Sequence, residues 1–141
     1  MTMKVAFVGL GTMGQPMAKN IAMKGYALSV FNRTQGKALP LKEAGAEPAA
    51  SPKDAAKGAE VVILMLTGPE AVDQVLDGPQ GVLAGLGAGK TIVNMSTVPP
   101  SYSRHLFERL KSRSVAALDA PVYGSKKPAE EAALVTPGGR K

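Results

Sequence analysis

Apolar positions along the chain fall into two alternating patterns, and their order predicts the architecture. Lys4–Val8 and Ala27–Phe31 are short, nearly continuous apolar runs, the second ending at Asn32-Arg33-Thr34, and such runs read as buried strands. Between them Met13, Met17 and Ile21 recur at helical spacing, and Gly25 stands where a left-handed residue usually closes a helix. The span from Lys4 to Phe31 thus has the length and pattern of one strand–helix–strand crossover.

The alternation continues. A helix is expected over Lys37 to Glu43, closed by Gly45, followed by an extended stretch near Glu47 to Ala49. Ser51-Pro52 places a capping hydroxyl before a first-turn proline, and Gly58 stops the short helix that follows. Val61 to Leu66 is apolar without alternation, as for a central strand covered on both faces of a parallel sheet. A helix from Glu70 to Leu76, a glycine-rich turn region from Gly78 to Gly89, and a strand at Thr91–Asn94 come next. Pro99-Pro100 opens a helix through Ser112, and Val115–Asp119 forms the last strand. Strands alternating with helices in this way predict an α/β fold: a doubly wound, mostly parallel sheet with helices on both faces.

Composition narrows the chemistry. The 141 residues allow one domain of ordinary size, and 45% hydrophobic against 20% charged residues is enough apolar material for one core. The longest aliphatic stretch is far shorter than the roughly 20 residues of a membrane span, so no membrane partner is expected. No secretory leader pattern is visible at the N-terminus, and a cytoplasmic setting is the expectation. With no cysteine and one histidine, neither a thiolate nor a histidine metal site is expected. The net charge of +6 favours anionic ligands. It is not a nucleic-acid signature, because no run of basic residues exceeds two and aromatics are only 4%.

The strongest local signal is Gly9-Leu10-Gly11-Thr12-Met13-Gly14, a G-x-G-x-x-G string. The string alone is weak evidence, but here it lies between a predicted strand and a predicted helix, the setting of a dinucleotide-binding turn. There Gly9 would permit the tight turn, Gly11 would let the backbone approach a pyrophosphate, and Gly14 would let the helix lie close to the strand. The helix would aim its free N–H groups and positive dipole end at the phosphates. The competing reading is a structural glycine turn without a ligand.

Dinucleotide sites usually carry an acid at the end of the second strand, bonded to the adenosine ribose. Asn32, Arg33 and Thr34 occupy that place. A guanidinium there suits the 2′-phosphate that distinguishes NADP from NAD, so NADP (NADPH) is expected and NAD less so. The alternative is that Arg33 is a solvated loop residue. Met65 and Leu66 end the fourth strand and are expected to line the cofactor channel. Ser96 and Thr97 end the next strand and would reach nicotinamide or a substrate carboxylate, unless they are ordinary helix caps. His105 lies in a polar helix and is expected to face solvent.

Taken together, Gly9 to Gly14 with Pro16-Met-Ala-Lys-Asn20, Asn32-Arg-Thr34, Asn94-Met-Ser-Thr97 and Asp119-Ala-Pro-Val122 resemble the β-hydroxyacid dehydrogenase family. That family includes 3-hydroxyisobutyrate dehydrogenase and is related to 6-phosphogluconate dehydrogenase. Gly124-Ser-Lys-Lys-Pro-Ala-Glu130 is similar to its glyoxylate and succinic semialdehyde reductase branch. The resemblance covers the family's Rossmann-type NADP-binding domain, residues 1–141 here. It implies an oxidoreductase that transfers hydride between NADP(H) and a small β-hydroxyacid or its semialdehyde or 2-oxoacid partner. It implies cofactor contacts at Gly9 to Gly14, Asn32, Arg33, Thr34, Met65, Leu66 and Thr97, and substrate contacts at Ser96, Val122, Tyr123 and Gly124. Tyr123 departs from the family's serine. The family's catalytic lysine lies on a later helix; Lys126 and Lys127 belong to a different motif. A helical substrate and dimerisation domain is expected to be absent from this chain, leaving an apolar face open to a second copy. The alternative function is therefore a non-catalytic NADPH-binding or self-associating module. A methyltransferase or FAD protein fits Arg33 and Asp119–Val122 poorly.

Overall fold

A computed structural model of the chain describes residues 3–10 and 13–120. Strands β1 (Lys4–Val8), β2 (Ala27–Phe31), β3 (Glu47–Pro48), β4 (Val61–Leu64), β5 (Thr91–Asn94) and β6 (Ala116–Asp119) form one sheet. Its order is β3-β2-β1-β4-β5-β6, and every pairing is parallel. The chain therefore winds outward from β1 in one direction and from β4 in the other. Val8 at the end of β1 sits opposite Phe31 on one side and Leu64 on the other. In open α/β sheets that switch point leaves a crevice beyond the carboxyl ends of the strands.

Helices α1 (Gly14–Met23), α2 (Leu39–Lys42), α3 (Pro52–Ala56), α4 (Pro69–Leu76), α5 (Val82–Gly85) and α6 (Pro100–Lys111) divide between the two faces. One core packs Ala6, Val62, Leu64 and Ile92 of the sheet against Ala55, Val72, Leu76, Val82, Leu106 and Leu110 of α3 to α6. The other packs Val5, Phe7, Leu28 and Val30 against Ala18 of α1 and Leu41 of α2. Period-two alternation along each strand feeds both cores.

Local signals act as their chemistry dictates. Gly25, Gly45 and Gly58 hold φ of 95°, 104° and 78° at the ends of their turns, and the Ser51 hydroxyl accepts the Asp54 amide at 3.0 Å. Three expectations need correction. The helix expected over Lys37 to Glu43 is a 3-10 turn at Gln35–Lys37 followed by the single turn of α2, because Pro40 cannot donate to an earlier carbonyl. The turn region from Gly78 to Gly89 contains α5. Val82 and Leu83 are buried there against α3, and a Cβ at Gly85 would press on the Lys53 carbonyl, so packing rather than local pattern makes that helix. Finally β4 is central but is not covered equally. Val62 and Leu64 are buried, whereas Val61 and Ile63 are half-buried, because α1 and α2 cover the β1–β2 side of that face.

Candidate functional site

The carboxyl ends of β1, β2 and β4 enclose a crevice of about 250 Å³. Seven residues expected to contact a cofactor share it: Gly9, Leu10, Asn32, Arg33, Thr34, Met65 and Leu66. The glycines explain how closely these elements meet. Gly9 has φ of 105°, which L side chains rarely adopt, and a Cβ there would collide with the Met65 carbonyl oxygen and lie 2.9 Å from Leu66 Cδ2. A Cβ at Gly14 would collide with the Gly9 carbonyl oxygen and touch Phe7, so α1 starts flush against the end of β1. Gly11 and Thr12 lie outside the described residues.

Helix α1 begins at Met13 and Gly14 without a side-chain cap at Met13 and without an acid in its first turn. Its positive end therefore meets no competing carboxylate from its own sequence, a condition that suits a bound anion.

Asn32 shapes the second wall. Its Oδ1 accepts the Leu10 amide at 2.7 Å, and its Nδ2 donates to the Thr34 carbonyl at 3.0 Å. The Gly9 amide donates to the Phe31 carbonyl at 3.0 Å. One short side chain thus locks the glycine turn to the turn after β2, and Arg33 sits at the apex. Arg33 is exposed, makes no ion pair with a described residue, and lines both the crevice and an adjoining shelf formed with Thr67, Glu70 and Gln74.

The third wall was not foreseen from sequence. Ala71, Gln74 and Val75 of α4 line the crevice, and their i, i+3, i+4 spacing marks one helix face, which is the signal that would have found them. Helix α4 is held in place by α6. The Tyr102 hydroxyl donates to Asp73 at 2.6 Å, and Arg109 pairs with Asp77 and, at 3.9 Å, with Asp73. Burial, together with the Asp73 carboxylate that accepts its hydrogen bond, pushes the Tyr102 hydroxyl well above its ordinary pKa.

Beyond β5, Ser96 is only 2% exposed. Its hydroxyl accepts the Leu66 amide at 2.8 Å, and its own amide donates to Asn94 Oδ1 at 3.1 Å. Thr97 next to it is exposed and does not line the crevice. Val122, Tyr123 and Gly124 lie outside the described residues. His105 is exposed on α6, as expected. Among the described residues no group of acids and histidines is placed to hold a metal, and no helix is long and apolar enough to cross a membrane.

Comparison with known proteins bears on this geometry. The family described as the NAD binding domain of 6-phosphogluconate dehydrogenase matches residues 4–141. Glyoxylate/succinic semialdehyde reductase 2 of Arabidopsis thaliana, a chloroplastic protein, is 37% identical over 95% of this chain and 37% of its own length. The NAD-dependent L-serine dehydrogenase of Pseudomonas aeruginosa is 40% identical over 86% of this chain and 41% of its own. The structure of Mycobacterium tuberculosis 3-hydroxyisobutyrate dehydrogenase with L-serine superposes with a TM-score of 0.88 at 31% identity. It covers 96% of this chain and 46% of that one. The chain thus spans less than half the length of each of these relatives.

Proposed function

This chain belongs to the family of the NAD binding domain of 6-phosphogluconate dehydrogenase, and we propose that within it the crevice binds NADP(H) in preference to NAD(H). The observation that carries this reading is Arg33. Where a ribose-binding carboxylate would select NAD, the chain presents an arginine that pairs with no acid among the described residues, beside Asn32 and Thr34 at the mouth of the crevice. The residues fit the remainder of such a cofactor. Gly9 and Gly14 let the end of β1, the Met65–Leu66 segment and the start of α1 meet where a Cβ would collide, and the start of α1 faces the same edge, where a pyrophosphate would lie.

When bound, the nicotinamide supplies or accepts the hydride. The protein's residues orient it. Arg33 would hold the 2′-phosphate by charge-assisted hydrogen bonds. The α4 face of Ala71, Gln74 and Val75 would form the wall beside the adenosine half. Met65 and Leu66 would line the path toward the ends of β4 and β5, and Thr97, exposed just beyond β5, would meet the nicotinamide half. The substrate class supported by the relatives is a small hydroxyacid or its semialdehyde or oxoacid partner. Hydride transfer to such a substrate also needs a proton donor or acceptor. The resemblance assigns that role to a lysine on a later helix of the family, so residues 1–141 alone are proposed to bind the nucleotide without family-like turnover. Loss of a general acid or base typically lowers the rate by about 10²- to 10⁴-fold.

The runner-up is NAD dependence, which the serine dehydrogenase relative has by its name. Titration of Arg33→Ala against both nucleotides separates the two: selective loss of NADPH binding supports the proposal, and equal loss of NADPH and NADH removes it.

A further inference from the structure

We propose that Ser96 is a positioning residue: its buried hydroxyl holds the Leu66 amide, and so keeps the Met65–Leu66 wall at the distance from Gly9 that admits an intact dinucleotide. This rests on the reading of the crevice as a nucleotide site, and it departs from the direct substrate contact that the family resemblance implies for Ser96.

The backbone ladder between strands runs out just where the crevice begins. The Met65 amide still donates to the Val8 carbonyl at 2.9 Å, and the Met95 amide to the Leu64 carbonyl at 2.8 Å. Leu66 carries the next amide along β4, and it finds a side chain instead of a strand: Ser96 Oγ at 2.8 Å. Ser96 is itself fixed from behind by Asn94, whose Oδ1 accepts the Ser96 amide at 3.1 Å; both residues are 2% exposed. A hydroxyl so deeply buried and so engaged is poorly placed to touch a substrate. Thr97, one residue on, is exposed and carries a hydroxyl that could.

What Ser96 holds lies directly against the glycine turn. Leu66 Cδ2 and the Met65 carbonyl crowd the position a Gly9 Cβ would occupy. A small displacement of Leu66 therefore changes the crevice at the point where a pyrophosphate and the adjoining ribose would pass. The opposite wall is braced by the same device, with Asn32 Oδ1 taking the Leu10 amide at 2.7 Å. Two short polar side chains, one after β2 and one after β5, thus set the width of the crevice by capturing the first free amide of a neighbouring strand end.

The test compares an intact dinucleotide with its adenosine end. Adenosine 2′-monophosphate carries the phosphate that Arg33 would hold but neither phosphate of the pyrophosphate, so it should not depend on the Leu66–Gly9 spacing, whereas NADPH must pass it. In Ser96→Ala, NADPH binding measured by calorimetry should weaken by about 5- to 30-fold, the factor expected for one lost hydrogen bond to a buried amide. Affinity for adenosine 2′-monophosphate should stay unchanged. Hydrogen exchange followed by NMR should show the Leu66 amide losing protection while Met65 and Met95 keep theirs. Ser96→Cys, nearly isosteric but a weaker acceptor, should fall between the two and replaces Ser96→Ala if that variant does not fold. Equal weakening of both ligands, or unchanged NADPH affinity with the Leu66 amide exposed, would overturn the positioning role. If the unaltered chain bound neither ligand, the nucleotide reading itself would fail, an outcome distinguishable from failure of Ser96 alone.

Discussion

Arg33 and the two described glycines of the turn act at the scale of single atoms. Removing the Arg33 guanidinium by Arg33→Ala should cost NADPH binding about 1.5 to 3 kcal/mol, the range for a hydrogen bond to a charged group, and leave NADH nearly unaffected, as read by titration calorimetry. Gly14→Ala should destabilise the fold by about 1 to 3 kcal/mol in urea unfolding, because the new methyl group has only the Gly9 carbonyl and Phe7 to move into. Gly36→Ala is the matched control: a Cβ there meets nothing within 4 Å, so a comparable loss in that variant would show that the crowding at Gly14 is not the cause. The roles expected of Gly9 and Gly14 were legible because a bare α-carbon has few uses at a strand–helix junction. The burial of Ser96 was not. Its hydroxyl meets Leu66 only after β4 and β5 have paired, and nothing local distinguishes it from its exposed neighbour Thr97.

Among elements, α4 and α6 have the most distinctive coupling. Tyr102 bridges to Asp73 while Arg109 reaches Asp77 and Asp73, which fixes the helix that carries the third wall of the crevice. The folded state raises the Tyr102 pKa above its ordinary 10.0, so it favours the protonated phenol. Above pH 10 the unfolded chain releases this proton while the folded chain retains it. The stabilisation is therefore complete below that pH and is lost as pH climbs toward the folded-state value. Tyr102→Phe should lower stability by about 0.5 to 1.5 kcal/mol at pH 8, and the gap to the unaltered chain should shrink at higher pH. A gap that widened with pH would contradict this sign. The order of the longer elements was readable from periodicity because β1, β2, β4 and β5 carry apolar runs and α1, α4 and α6 carry an apolar stripe. Helix α5 was not, since one turn of helix bearing Val82 and Leu83 has no period to detect and exists through contact with α3.

For the molecule as a whole, parallel pairing and the β3-β2-β1-β4-β5-β6 order place every strand's carboxyl end on one edge. Residues far apart in sequence, from Gly9 to Gln74, meet there. The class of fold followed from alternating strands and helices. The shape of the crevice did not, because it depends on how far α4 stands from the turn after β2, a distance set by the α4–α6 brace. The chain matches less than half of its relatives' lengths, so nucleotide binding, not turnover, is the property by which residues 1–141 are best judged. The most direct measurement is a pair of calorimetric titrations of the unaltered chain, NADPH beside NADH under the same buffer and salt. One NADPH should bind per chain, about tenfold or more tightly than NADH, since a single charged contact is worth at least about 1.5 kcal/mol. No heat from either nucleotide, or NADH bound as tightly as NADPH, would contradict the account.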